Sequence, residues 1–180
     1  MNRNDEDGKN EADEILDTYL AAQFVGGISF LLAIAAYYQK HDVNLKRLLS
    51  LLFLVHSAHF YLLDAVVPAL LCLLSMVRTI VAIYANSRTT AHVFICITLF
   101  VGFVNYQSPL DFIVIIANVI GVYSLFCLKG VEMRIWLIVG ASLWLINNAL
   151  IGSIGGTLME VFVILTNLIT IYRIRKPKSV

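Results

Sequence analysis

The sequence predicts an all-α integral membrane fold: seven transmembrane helices, as two parallel three-helix repeats joined by a linker helix. Three observations predict it. Of 180 residues, 59% are hydrophobic and only 14% charged, and mean hydropathy is +0.82; about a quarter of the residues in a soluble domain are charged. The charges crowd the ends, with seven of the twelve acids before Thr18 and four of the thirteen bases in the last eight residues. The connections between apolar runs alternate between basic and uncharged or acidic.

The opening stretch, residues 1–18 ("MNRNDEDGKNEADEILDT"), is too acidic for a secretory signal, which needs a basic start. It reads as a disordered acidic tail turning helical towards Ile15 and Leu16. Apolar runs then place helices over 19–38, 46–65, 67–85, 91–105, 109–128, 133–151 and 154–173. About 20 residues are needed to cross a bilayer, and the fourth run is short. Residues 174–180 form a basic tail. Its "RIRKPK" reads as a topology anchor that meets anionic lipid headgroups, not a nucleic-acid patch.

Lys40, Lys46 and Arg47 mark the first connection, Arg88 the third, Lys129 and Arg134 the fifth, and Arg173, Arg175, Lys176 and Lys178 the end. The connections near Asp64, Ser108 and Gly152 carry no base. Positive connections face the cytoplasm. The N-terminus is therefore expected outside and the C-terminus inside, with seven spans.

An offset of 88 residues lays "NLKRLLSLLFLVHSAHFYLLDAV", from Asn44, on "EMRIWLIVGASLWLINNALIGSI", from Glu132. It also lays Val43 on Val131 and Tyr84 on Tyr172. Helices one to three (19–85) thus resemble helices five to seven (109–173). The fourth run (91–105) links them, and an odd linker gives both triplets one orientation.

Polar residues within lipid must find partners without water, so they are functional candidates. These are His56, His59, Arg78, Asn118, Asn147, Asn148, Glu160 and Asn167. At 1.5 Å per residue, His59 and Glu160 lie about 9–10 Å from the outer helix ends and the Asn147–Asn148 pair about 5–8 Å. His56 and Asn118 come slightly deeper. One polar layer in the outer half is expected, holding His59, Glu160 and the Asn pair. A carrier would have a central cavity lined by His59, Asn118, Asn147, Asn148, Glu160 and Asn167, whereas in a purely structural core His59 or Asn148 would partner Glu160. Arg78, about 9 Å deeper than Glu160, either lines a cavity or snorkels to the cytoplasmic headgroups.

His56 and His59 share a helix face. With Glu160 they contain ligand types found at metal sites, but two histidines and one distant acid make no specific pattern. Hydrogen bonding between helices is the favoured reading, and no metal or cofactor is expected. Cys72, Cys96 and Cys127 lie in apolar runs without metal or disulfide spacing. In "GSIGG", the Gly152–Gly156 spacing suits close helix approach, although a tight outer turn is the stronger reading. The absence of a phosphate loop, nucleophile elbow or metalloprotease helix argues against an enzyme.

"LFCLKGVEMR", "GSIGGTLME", and "HFYLL" followed by "MVRT" resemble the signature stretches of the YgjV-type bacterial inner membrane proteins. The resemblance implies an inner-membrane location and a seven-helix body but no substrate. The three-one-three layout is also similar to that of the PQ-loop and SWEET carriers. "LWLINNALIG…LTN" puts Asn167 where those carriers have a pocket asparagine, although the Pro-Gln dipeptide is missing. That likeness implies a small-solute carrier working by alternating access. The alternative is a non-transporting membrane protein with a structural, assembly or regulatory role. The lipid bilayer is the expected partner; an unknown small solute and a second copy of the chain remain open.

Overall fold

The computed structural model describes residues 3–39, 42–85 and 87–176. Among these there are seven α-helices and no strand: α1 (Arg3–Tyr37), α2 (Asp42–Leu62), α3 (Val66–Tyr84), α4 (Arg88–Val104), α5 (Pro109–Cys127), α6 (Gly130–Leu150) and α7 (Ile154–Arg175). Local chemistry sets several starts. Ser87 Oγ accepts from Thr90 N at 3.1 Å to open α4. Asp111 Oδ2 accepts from Gln107 N and Ser108 N, both at 2.8 Å, and Pro109 supplies a first residue with no amide to satisfy at the head of α5. Ser153 Oγ accepts from Gly156 N at 3.1 Å to cap α7. The turns before α3 and α7 each use a left-handed residue, Asp64 at φ 57° and Gly152 at φ 71°.

Two expectations need correction. Residues 3–18 are helical and continuous with the first span, not a disordered tail. Once a span has nucleated the helix, each added residue gains a hydrogen bond without a new nucleation cost, and no proline interrupts residues 3–18. The basic end is also partly helical, since α7 runs to Arg175; residues 177–180 lie outside the described residues.

Five helices are long and apolar enough to cross a membrane: α1 from Ala12, α3, α5, α6 and α7. α4 has 17 residues and is shorter. α2 has 21 residues, but Lys46, Arg47, His56 and His59 dilute its apolar character.

Six helices close into a ring. α1 packs on α2, α2 on α3, α3 on α5, α5 on α6, α6 on α7, and α7 back on α1. α4 lies outside, against α3 and α5. In this order α3 stands opposite α7 and α2 opposite α6. Large apolar side chains such as Phe24, Leu31, Phe100 and Leu165 remain exposed, the composition of a lipid-facing surface. The interior joints are apolar: Val67, Leu71, Val114 and Ile115 seal α3 to α5, and Ala33, Leu52 and Met159 join α1, α2 and α7.

Candidate functional site

The ring encloses a cavity of about 300 Å³. All six ring helices line it, whereas α4 contributes no residue. Its lining extends from His56 and Trp144 to Tyr37, Lys46, Ala82 and Phe126, at the end of the bundle that carries the basic connections. Most of the wall is apolar. Its polar members include His56, Ser75, Arg78, Thr79, Asn118, Glu160 and Asn167.

Arg78 and Glu160 line the same cavity from different helices. Arg78 on α3 is 6% exposed, and its Nε and Nη1 make no hydrogen bond among the described residues. Gly121 on α5 leaves room beside it: a Cβ there would lie 3.7 Å from Arg78 Nη1. Glu160, 8% exposed, comes from α7 across the ring. His56 is 2% exposed, and neither ring nitrogen has a partner among the described residues. Asn118 instead spends its amide on packing: Nδ2 donates to Ser75 Oγ at 3.1 Å, and Oδ1 accepts from Thr98 Oγ1 at 3.4 Å. That joins α5 to α3 and α4. Asn167 Oδ1 accepts from Arg134 Nη1 at 3.2 Å.

Beyond His56 the bundle is closed. Phe60, fully buried, lies between the His56 ring at 4.5 Å and the Trp144 ring at 5.7 Å, centroid to centroid. His59 Nδ1 contacts Ala22 O at 2.7 Å and its Nε2 contacts Ser153 Oγ at 2.6 Å. A carbonyl only accepts, so Nδ1 carries the proton and the Ser153 hydroxyl donates to Nε2. Gln23 adds a two-way clasp: its Nε2 donates to Gly152 O at 2.8 Å and its Oε1 accepts from Ile154 N at 3.0 Å. Tyr19 Oη donates to Gly152 O at 3.2 Å. At Gly155 the backbones of α1 and α7 meet so closely that a Cβ would lie 2.4 Å from Gly26 C.

Residues 20–178 match the family model Imp-YgjV, described as "Bacterial inner membrane protein". The chain belongs to the YgjV family of bacterial inner membrane proteins. It is therefore a multi-pass protein of that membrane. Inner membrane protein YgjV of Escherichia coli strain K12 is 30% identical over 158 residues, covering 88% of this chain and 86% of that protein. No solved structure matches.

The eight candidate polar residues separate into two environments in this YgjV-family chain. His56, Arg78, Asn118, Glu160 and Asn167 line the cavity. His59, Asn147 and Asn148 do not. His59 belongs to the closed end; both asparagines are buried on α6, and Asn148 lies against α7, where a Cβ on Gly156 would meet its Oδ1. Neither His59 nor Asn148 partners Glu160: both His59 nitrogens are used on Ala22 and Ser153, and Asn148 Nδ2 and Oδ1 make no hydrogen bond among the described residues. "GSIGG" also divides its work: Gly152 makes the turn, and Gly155 rather than Gly152 makes the close approach. Among the described residues no group of three His, Cys, Asp or Glu side chains is gathered as a metal site.

Gln23, Lys46, Arg134, Trp144 and Ser153 were missed as site residues. Gln23 had a signal, an amide inside an apolar run. In the sequence Lys46 and Arg134 carry only a topology signal, yet Lys46 ties α2 to α3 and Arg134 ties α6 to α7. Lys46 Nζ donates to Ala82 O at 2.6 Å, and Arg134 reaches Asn167.

Proposed function

We propose that the protein is a small-solute carrier built from two parallel triplets, α1–α3 and α5–α7, with α4 as linker. All seven helices would cross the bilayer, with the N-terminus outside and the basic end cytoplasmic. The observation that carries this reading is the cavity's pseudo-symmetry. The first triplet contributes 13 lining residues, and nine of them fall on another lining residue when shifted by 88 positions. The pairs include Ala33 with Gly121, His56 with Trp144, Cys72 with Glu160 and Thr79 with Asn167. The offset also lays the bounds of α2 on those of α6, the start of α3 on that of α7, and Asp64 on Gly152. The ring contacts follow the same exchange, since α1 against α7 becomes α5 against α3.

A cavity between two like halves is the arrangement that rocking motions alternately expose. Tyr19, Gln23 and His59 all clasp the second triplet from the first at the end away from the cavity. At the other end Lys46 and Arg134 bond within their own triplets. The geometry corresponds to a carrier closed to the outside and facing the cytoplasm. Opening outward would require the Gln23 and His59 bonds to break.

The second reading, a non-transporting assembly or regulatory protein, draws on the Gly26–Gly155 contact, which locks α1 to α7 at the backbone. Such a protein would keep that end shut permanently. Reconstitution in liposomes with a panel of small neutral and ionic solutes separates the two. Solute uptake above protein-free vesicles supports the carrier. No uptake of any panel member, from a monodisperse preparation, supports the second reading.

A further inference from the structure

We propose that the cavity binds a small zwitterion, its carboxylate on Arg78 and its amine facing Glu160; this rests on the carrier reading only for the site's use, not for its occupancy. A buried guanidinium with free N–H groups is costly unless an anion meets it. Arg78 has two such nitrogens, is 94% buried by its 6% exposure, and lines the cavity. Asn118, its neighbour on the wall, has already committed its amide to Ser75, Leu71 and Thr98 and offers no acceptor in exchange. Glu160 lies on the helix opposite, so the two charges belong to one cavity while standing on different walls.

That pairing selects among ligand classes. A plain anion satisfies Arg78 but brings like charge towards Glu160. A plain cation does the reverse. A molecule carrying both charges satisfies both walls, while the third charge of the lining, Lys46, is already engaged by the Ala82 carbonyl at 2.6 Å towards the basic end of the bundle. Its middle is apolar, because Leu52, Phe53, Ala117, Leu137 and Trp144 supply much of the remaining wall. His56, whose two ring nitrogens have no partner among the described residues, adds a hydrogen-bonding position at the closed end for a polar substituent. By the 88-residue register Glu160 matches Cys72, six residues before Arg78, an offset of about 9 Å along the helix axis. Arginine's reach shortens that gap, so a chain with separated end charges suits the site better than glycine.

The test is calorimetric titration of the full-length protein in nanodiscs. One series of ω-amino acids runs from glycine to ε-aminohexanoate. A matched set contains γ-aminobutyrate, butyrate and butylamine. At least one ω-amino acid longer than glycine should bind, and more tightly than butyrate or butylamine. Glu160→Gln should weaken that zwitterion by at least about 30-fold, as expected when one partner of a buried charge pair is removed, and bring butyrate level with it. Arg78→Gln should abolish both. If that variant misfolds, the butyrate gain in Glu160→Gln still decides. Butyrate binding wild type as well as the zwitterions do would make this a simple anion site. Butylamine doing so would make it a cation site. Failure of the whole series to bind would overturn the proposal. Zwitterion binding without liposome flux would remove the carrier and leave the ligand class standing; flux of other solutes without zwitterion binding would do the reverse.

Discussion

At the residue scale, two histidines three positions apart do different work. His56 stacks on His59 with ring centroids 5.2 Å apart, yet only His56 reaches the cavity. His59 bridges α1 and α7 through Ala22 and Ser153. Replacing His59 with Leu strands the Ser153 hydroxyl and removes the bond to Ala22. We expect a loss of about 1–3 kcal/mol, read as a lower midpoint of thermal unfolding in detergent; an unchanged midpoint would show that the clasp contributes nothing. Glu160→Gln keeps shape and expression but should abolish solute uptake at matched protein level. Full uptake by that variant would demote Glu160 to packing. Depth along the helices was legible in the sequence, since it follows from counting residues. Direction around each helix axis was not, because almost every face of these helices is apolar, towards lipid and towards neighbours alike. His59 and Glu160 therefore looked like one layer, although one serves the lock and the other the cavity.

At the element scale, helix positions were readable to within a few residues from α2 to α7, because bases, serines and glycines punctuate the apolar runs. The expected span 154–173 became 154–175, and 109–128 became 109–127. The start of α1 was not readable, since its acidic residues have the composition of a disordered tail and also tolerate helix. Side chains from Ala12 to Leu20 are exposed, and the first buried one is Ala22. Deleting residues 1–11 should therefore change stability by less than about 0.5 kcal/mol, the usual range for surface changes. A clear drop in melting midpoint would mean that this end docks on the bundle. The α1–α7 joint gives a sharper contrast. Gly155→Ala drives a methyl into the Gly26 backbone and should destabilise by about 1–3 kcal/mol or more. Gly27→Ala meets nothing within 4 Å, and should stabilise the helix by up to about 1 kcal/mol. Equal effects at the two positions would contradict the close crossing.

At the scale of the whole molecule, the ring makes an outer surface and an inner one that differ in the charges they carry. The outside is apolar and wide, and α4 adds to it without touching the cavity. The inside is small and holds an arginine and a glutamate. The apolar runs made seven helices legible, but the ring order, with α3 against α5 and α7 against α1, required the folded chain. Topology has its own test: reporters fused at Lys9 and Lys176 should fall on opposite faces of the membrane, and finding both on one face would refute seven spans.

In the proposed carrier, water enters the ring's cavity while the outer wall stays in lipid. Thr79 is 7% exposed and lines the cavity, whereas Cys96, on α4, is exposed on the outside of the bundle. Two single-cysteine proteins, one with only Thr79→Cys and one with only Cys96, can be treated in inverted membrane vesicles with a small, charged, thiol-specific reagent. A water-filled cavity gives rapid labelling of the Thr79→Cys protein and almost none at Cys96, the reverse of the order given by surface exposure alone. Labelling at Cys96 with none at the Thr79→Cys position would contradict it.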